Sequence, residues 1–209
     1  MELNDLNSEM SGFSVKEISE ELGPNVFRDG TEESRKFREF LRDSAISSLA
    51  DNIDAILSRS FKDSGLALQD IVNTLGCKAG FEVDYGLFQG TKTQPGYDGY
   101  WSTKEFSVVV EVKTSDAFRI SMDRLIEIAD SITQKKNPGK IAKVLIIVGR
   151  FDVGDLRSQI RGSRFFERIS LISVDCLAQL VEVSFSLGDG PARVQLQSIL
   201  YPGETVNLD

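Results

Sequence analysis

The chain of 209 residues contains no histidine. This absence excludes serine hydrolases with a Ser-His-Asp triad, zinc sites built on imidazole, and nucleases that depend on histidine. Acid–base chemistry must therefore come from Asp, Glu, Lys, Tyr or Cys side chains or from a metal-bound water. The two cysteines, Cys77 and Cys176, lack metal-ligand spacing, and we expect both to be buried apolar thiols.

The sequence also lacks the long apolar runs of membrane proteins and the glycine-rich motifs of nucleotide-binding proteins. No apolar run reaches the roughly 18 residues that span a bilayer. The N-terminal stretch MELNDLNSEMSGFS has neither the basic start nor the apolar core of a secretory signal. We therefore expect a cytoplasmic protein with no membrane partner. The absence of GxxxxGK[ST] and of a GxGxxG after a strand argues against ATP and dinucleotide binding.

Positive charge is scarce. The chain has 24 Lys and Arg residues and 32 Asp and Glu residues, which gives a net charge of -8. This balance is unusual for a protein that binds nucleic acid. The charge is unevenly distributed, since residues 113–168 contain 12 basic and 7 acidic residues. This stretch permits a polyanionic partner, whereas the acidic remainder of the chain favours a partner protein or a multidomain assembly.

Apolar periodicity and turn residues divide the chain into a helical first part and a later part in which strands and helices alternate. The predicted elements in chain order are helices at 14–22, 31–56 (broken or continuous) and 66–75, strands at 81–87, 97–102 and 106–113, a helix at 121–136, a strand at 143–148, a helix at 155–161, a strand at 169–174 and a helix at 175–183. Gly76 is predicted to end the third helix. The C-terminal residues are ambiguous, and 194–200 fit an edge strand.

This order of elements predicts an α/β fold with a mixed central β-sheet flanked by helices and an N-terminal helical segment. We divide the chain into a helical segment at 1–75 packed on the core, a core at 76–185, and a C-terminal extension at 186–209. The nearly all-apolar run KVLIIV at 143–148 is typical of a strand buried on both faces.

The strand FSVVVEVK at 106–113 carries two charged residues in an apolar setting. Side-chain alternation places Glu111 and Lys113 on the same face, where burial is costly unless they are paired or bind something. A hairpin partner can bring Asp98 beside Glu111, and two converging carboxylates favour a hard cation between them. Lys113 could then orient or deprotonate a water and stabilise charge on a phosphate. The pattern predicts a metal-dependent site that cleaves phosphodiesters.

Asp98 in PGYDGYW and Glu111-Val112-Lys113, the only [DE]xK triplet in the chain, resemble the motif of the PD-(D/E)XK nuclease superfamily. The resemblance covers roughly residues 80–150. It implies a restriction-endonuclease-like core, a requirement for Mg²⁺ that Mn²⁺ can meet, and hydrolysis of DNA. By this similarity Asp98, Glu111 and Lys113 are catalytic, and Asp98, Glu111 and the Val112 carbonyl are metal ligands. In the PD of the family motif the proline directly precedes the aspartate, whereas in this chain the proline precedes Asp98 by three residues.

Further residues are assigned by looser analogy with the same superfamily. Some members carry an acidic residue on the helix before the sheet, for which Glu39 and Glu33 are candidates, and a glutamine on the helix after the ExK strand, for which Gln134 is a candidate. Asp84 is the alternative to Asp98. Cationic residues that could hold DNA phosphates are Lys135, Lys136, Arg157, Arg161 and Arg164. Tyr100 and Trp101 are more typical of a core than of base stacking.

Three hypotheses remain open from the sequence. The first is a Mg²⁺-dependent endodeoxyribonuclease acting on DNA, with a restriction role as the preferred one and a homodimer or larger assembly as an option. The second is a non-catalytic module of the same fold that binds nucleic acid or a protein. The third is an α/β protein in which Glu111 and Lys113 form a structural ion pair.

Overall fold

The computed structural model describes residues 13–88, 96–114, 120–149, 154–188 and 190–201. The helices of these residues are α1 (Val15–Leu22), α2 (Glu32–Asp43), α3 (Ile46–Ser58), α4 (Ser64–Lys78), α5 (Met122–Lys136), α6 (Gly154–Arg161), α7 (Val174–Ser186) and α8 (Pro191–Leu200). The strands are β1 (Glu82–Tyr85), β2 (Gly99–Ser102), β3 (Ser107–Lys113), β4 (Val144–Val148) and β5 (Ile169–Ser173). A single 3₁₀ turn at Phe166–Arg168 leads into β5.

The five strands form one mixed sheet in the order β1-β2-β3-β4-β5. The first three strands are antiparallel neighbours, and β3, β4 and β5 run parallel, with α5 and α6 as the crossover helices. Crossovers of this kind are what parallel neighbours require, because a tight turn can join only antiparallel strands. The predicted α/β class with a mixed central sheet and flanking helices is confirmed.

Each face of the sheet supports its own core. The face with Trp101, Val108 and Val110 packs against α1 to α4, α7 and α8. The opposite face, with Val109 and Ile146, packs against α5 and α6. All five residues of β4 are buried, as the apolar run predicts for a strand that is covered on both sides.

Three helices begin at side-chain caps. The Ser14 side chain accepts from the Glu17 amide in a capping box, and Thr31 and Ser121 cap α2 and α5 through the same kind of side-chain bond. The apolar pattern that began at residue 31 is broken at Ser44, so that α2 and α3 are separate helices.

The prediction that Gly76 ends the third helix is wrong, because α4 continues to Lys78. A Cβ on Gly76 would lie 2.5 Å from the Trp101 indole, so the glycine serves as the contact surface for a fully buried tryptophan. The predicted boundary between residues 75 and 76 therefore falls inside α4. Both Trp101 and Tyr100 are buried, in agreement with their predicted core role.

Two further predictions are wrong. Residues 194–200 belong to α8 and not to an edge strand, because Pro191 opens the helix and Leu196 and Leu200, four residues apart, are buried against the core. Cys176 is exposed and Cys77 is half-buried, so neither is the fully buried thiol that we expected. None of the helices in the described part of the chain combines the length and the apolar character that a bilayer crossing requires.

Candidate metal-dependent active site

The carboxyl end of β3 carries the charged pair that the sequence singled out. The Lys113 ammonium forms an ion pair with the Glu111 carboxylate, and their side chains are 30% and 21% exposed. Both side chains lie on the face of the sheet that packs against α5 and α6, because they alternate with Val110 and Val112 on the other face. The carboxyl ends of parallel strands are where open α/β sheets bind ligands.

Strand β2 leaves β3 just before this pair. The last paired residues are Gly99 and Val110, and continuing that register by one residue places Asp98 opposite Glu111. The Asp98 Oδ2 atom accepts a hydrogen bond of 2.6 Å from the Val112 amide. A carboxylate thus occupies the position where a backbone carbonyl of β2 would otherwise continue the ladder.

The backbone of Val112 faces the gap left by β2. The Lys113 carbonyl accepts from the Gly149 amide at 2.8 Å, so the backbone groups of Lys113 point toward β4. Backbone direction alternates along a strand, and the amide and carbonyl of Val112 therefore point the other way, toward Asp98. The predicted ligand atoms of Asp98 and Val112 consequently border the same gap.

Helix α4 holds the Asp98 backbone from the far side of the sheet. The Asp98 carbonyl accepts from Gln69 Nε2 at 3.1 Å and from Asn73 Nδ2 at 2.8 Å, and also from the Gly86 amide at 3.2 Å. The Asn73 Oδ1 atom accepts in turn from Trp101 Nε1 at 2.8 Å. These buried amides fix the point at which β2 turns away from β3.

Sequence reasoning missed Gln69 and Asn73. The available signal is their spacing of four residues within a helix that is otherwise largely apolar, which places two amides side by side on one buried face. A buried amide needs partners, so such a pair indicates a fixed contact with another element. The identity of that element cannot be read from the spacing.

The electrostatics of Asp98 reflect its crowded position. Burial is the main cause that raises the pKa of Asp98 from 3.8 to about 7, and the charge of Glu111 raises it further. The Val112 amide and the Lys113 ammonium act in the opposite direction. Two carboxylates that repel each other in a half-buried site are the arrangement that a divalent cation relieves.

The donor set fits Mg²⁺. Across the described ranges there is no group of three or more His, Cys, Asp or Glu side chains that could hold a metal ion, so the two carboxylates stand without a third. Protein sites commonly bind Mg²⁺ through one or two carboxylates and leave its other positions to waters and substrate phosphates. Asp98, Glu111 and the Val112 carbonyl could supply oxygen ligands of that kind.

In EDTA at pH 8, Asp98→Asn is expected to be more stable than the wild type by roughly 1–2 kcal/mol, or about 3–6 °C in Tm. A folded-state pKa of about 7 lies above the ordinary 3.8, so ionisation of Asp98 costs stability as the pH rises through this interval. The gain should therefore shrink as the pH falls from 7 to 4. Thermal melts of both proteins across this range check it, and an Asp98→Asn protein that is less stable at pH 8 would contradict it.

The two accessory candidates have their own side-chain and backbone contacts. Glu39 pairs with Arg35 at 2.5 Å, and its other carboxylate oxygen is buried without a hydrogen-bond partner. Gln134 contacts the backbone of Gly139 and Lys140 in the turn after α5.

The turn that follows α5 lies near Ser107, the first residue of β3, because Asn137 Nδ2 donates toward the Ser107 hydroxyl at 3.5 Å. The structure therefore places Gln134 near the amino end of β3, whereas Glu111 lies near the carboxyl end.

Glu33, the other acidic candidate, accepts a hydrogen bond of 3.4 Å from Asn25.

The predicted phosphate-binding cations have mixed environments. Lys136 forms an ion pair with Asp84, the alternative carboxylate, and its ammonium lies 5.3 Å from the centre of the Tyr100 ring. Arg164 pairs with Asp123 at 2.7 Å. The remaining cations of this group are exposed, and they are Lys135, Arg157 and Arg161.

Comparisons with known proteins give no relative for this chain. No protein-family model, no curated protein and no solved structure matches it.

Proposed function

We propose that this protein is a Mg²⁺-dependent nuclease with a restriction-endonuclease-like core of the PD-(D/E)XK type, which hydrolyses phosphodiester bonds of DNA. The observation that supports it best is the meeting of Asp98 with Glu111 and Lys113 at the carboxyl end of β3, where the Val112 amide binds the Asp98 carboxylate. The order of the elements, with an antiparallel hairpin, a crossover helix and a buried parallel strand, supports the same type of core.

Each residue has a distinct role in this proposal. Asp98, Glu111 and the Val112 carbonyl bind Mg²⁺. Bound Mg²⁺ supplies charge neutralisation at the phosphate and a more acidic water. Lys113 donates hydrogen bonds to the attacking water and to the phosphate oxygens on which negative charge develops. Gln69 and Asn73 hold the Asp98 backbone in place, and the half-buried setting strengthens all of these charge interactions.

A restriction-type endonuclease is the role that we favour within this class. The acidic remainder of the chain, outside residues 113–168, would limit non-specific attraction to DNA, because long-range charge controls such binding. An enzyme of this kind would then depend on specific contacts, or on a second subunit, to bind its site.

The test is cleavage of supercoiled, linear double-stranded and single-stranded DNA by the wild type with Mg²⁺, with Mn²⁺ and with EDTA. Metal-dependent nicking or cutting that EDTA stops is the expected result. Melting temperature is measured on the same samples, since a ligand that binds the folded state raises Tm. A metal-dependent rise in Tm without cleavage of any DNA would favour the non-catalytic module. If the metal neither raised Tm nor supported cleavage, the result would favour the hypothesis that Glu111 and Lys113 form a structural ion pair.

A further inference from the structure

A second concave site lies at the amino end of β3. It has a volume of about 400 Å³ and is formed by the β2–β3 hairpin at 103–107, the segment after α5 and the side chain of Tyr201. Ser107 lines it, and Lys113 is the sixth residue after Ser107 along β3. At about 3.3 Å per strand residue, the cavity is roughly 20 Å from the candidate active site.

The walls of this cavity are positively charged. Lys104, Lys140 and Lys143 line it with one acidic residue, Glu105, although the whole chain has a net charge of -8. Within the described ranges, neither Lys104 nor Lys140 forms an ion pair with an acidic side chain. Concave sites lined by one sign of charge focus the field and concentrate counter-ions.

Lys143 is the anchored member of the group. Its ammonium donates to the Glu167 carbonyl at 2.8 Å and lies 5.6 Å from the centre of the Tyr201 ring. Burial lowers the pKa of Lys143, and the nearby charge of Arg168 lowers it further. An anion in the cavity would offset this repulsion, because an opposite charge nearby stabilises the charged form of an amine.

We infer that this cavity binds a phosphate group through Lys104, Lys140 and Lys143. Lysine ammonium groups bind phosphate as point charges and tolerate several geometries, which suits three lysines that line one cavity from a hairpin and from the segment after α5. The phosphate could belong to a free small molecule or to the backbone of a nucleic acid strand. This inference does not depend on the proposed nuclease activity, since its residues are separate from Asp98 and the Glu111–Lys113 pair.

The experiment measures binding at low salt in EDTA, which keeps divalent cations out of the candidate metal site. The probes are inorganic pyrophosphate and a short single-stranded DNA oligonucleotide, each titrated by calorimetry into the full chain. The double variant Lys104→Gln/Lys140→Gln is expected to weaken binding roughly ten- to thirtyfold. Glu105→Gln is expected to strengthen it about threefold, because it removes the one opposing charge.

The controls separate the cavity from general charge effects. Lys16→Gln/Lys62→Gln removes the same total charge from exposed positions outside the cavity and should change binding less than about twofold. Binding of pyrophosphate that the cavity variant weakens would identify a free phosphate ligand. Binding of the oligonucleotide alone, with the same sensitivity, would identify a nucleic acid backbone. No binding of either probe, or equal losses in both double variants, would overturn the inference.

Discussion

Lys113→Met is expected to lower the rate of metal-dependent DNA cleavage by about 10²–10⁴-fold while the Mg²⁺-dependent rise in Tm persists. The methionine keeps most of the side-chain volume but removes the ammonium, which in the structure contacts Glu111. Because the proposed metal ligands are Asp98, Glu111 and a backbone carbonyl, they survive this change. The measurement is single-turnover cleavage of a labelled duplex, together with melts in Mg²⁺ and in EDTA.

Asp98→Asn is the companion variant that separates metal binding from chemistry. It should lose both cleavage and the Mg²⁺-dependent rise in Tm, because a neutral amide is a poor ligand for a hard cation. The carboxamide oxygen that this substitution introduces can still accept from the Val112 amide, so the local backbone should be kept.

Lys16→Met is the matched control for Lys113→Met, since Lys16 is an exposed lysine on α1 and is not among the predicted phosphate-binding cations. It should change cleavage by less than about a factor of three, because an exposed charge far from the reacting atoms is screened by solvent and salt. If Lys113→Met cleaved DNA at the wild-type rate, the role assigned to Lys113 would be wrong even if metal binding were found.

The second large effect concerns the ion pair between α2 and α4. The Arg38 Nε atom donates to both carboxylate oxygens of Asp70 at 3.1 and 3.0 Å, and the Asp70 side chain is only 1% exposed. The Arg38 guanidinium also lies over the Tyr85 and Phe88 rings, 4.5 and 4.8 Å from their centres. This contact ties the N-terminal helices to the helix that holds Asp98.

Arg38→Leu is expected to destabilise the protein by about 3–5 kcal/mol at pH 8, because it leaves the Asp70 carboxylate buried without its partner. Burial already raises the pKa of Asp70 to about 6. The charge of Arg38 lowers this pKa, and the charge of Asp29 raises it. Removing Arg38 raises this pKa further. The loss should therefore be larger above pH 6, where the wild-type carboxyl is ionised, than at pH 5, where it is protonated in both proteins.

A double-mutant cycle checks the physical cause. Asp70→Asn added to Arg38→Leu should recover part of the lost stability at pH 8, since the uncompensated charge is gone. Arg59→Leu, a change at an exposed arginine, is the control and should cost less than about 1 kcal/mol. Urea unfolding at pH 5 and pH 8 gives the free energies of unfolding. An equal loss for Arg38→Leu at both pH values would assign the effect to lost ring contacts instead.

The sequence was sufficient for most of the elements and for the face on which Glu111 and Lys113 lie. Their spacing of two residues in a valine-rich strand sets that face, because side chains alternate along any strand. The capping residues Ser14, Thr31 and Ser121 begin helices for an equally local reason, since each side chain bonds an amide three residues ahead. A hairpin that brings Asp98 toward Glu111 could also be predicted, because a short turn joins the two strands.

Only the tertiary structure showed how Asp98 is held and which helical residues lie near it. Gln69 and Asn73 are 29 and 25 residues from Asp98 in sequence, and their hydrogen bonds exist because α4 packs across the sheet. Gln134 follows the ExK strand as the analogy requires, but α5 runs back along the sheet and carries it toward the start of β3. Gly76 is typical of a helix end in the sequence, whereas in the structure it lies within α4 and contacts Trp101. Local periodicity determines which way a side chain points from its own strand or helix. The residues that surround this side chain depend on how distant elements pack, and no short stretch of sequence indicates that packing.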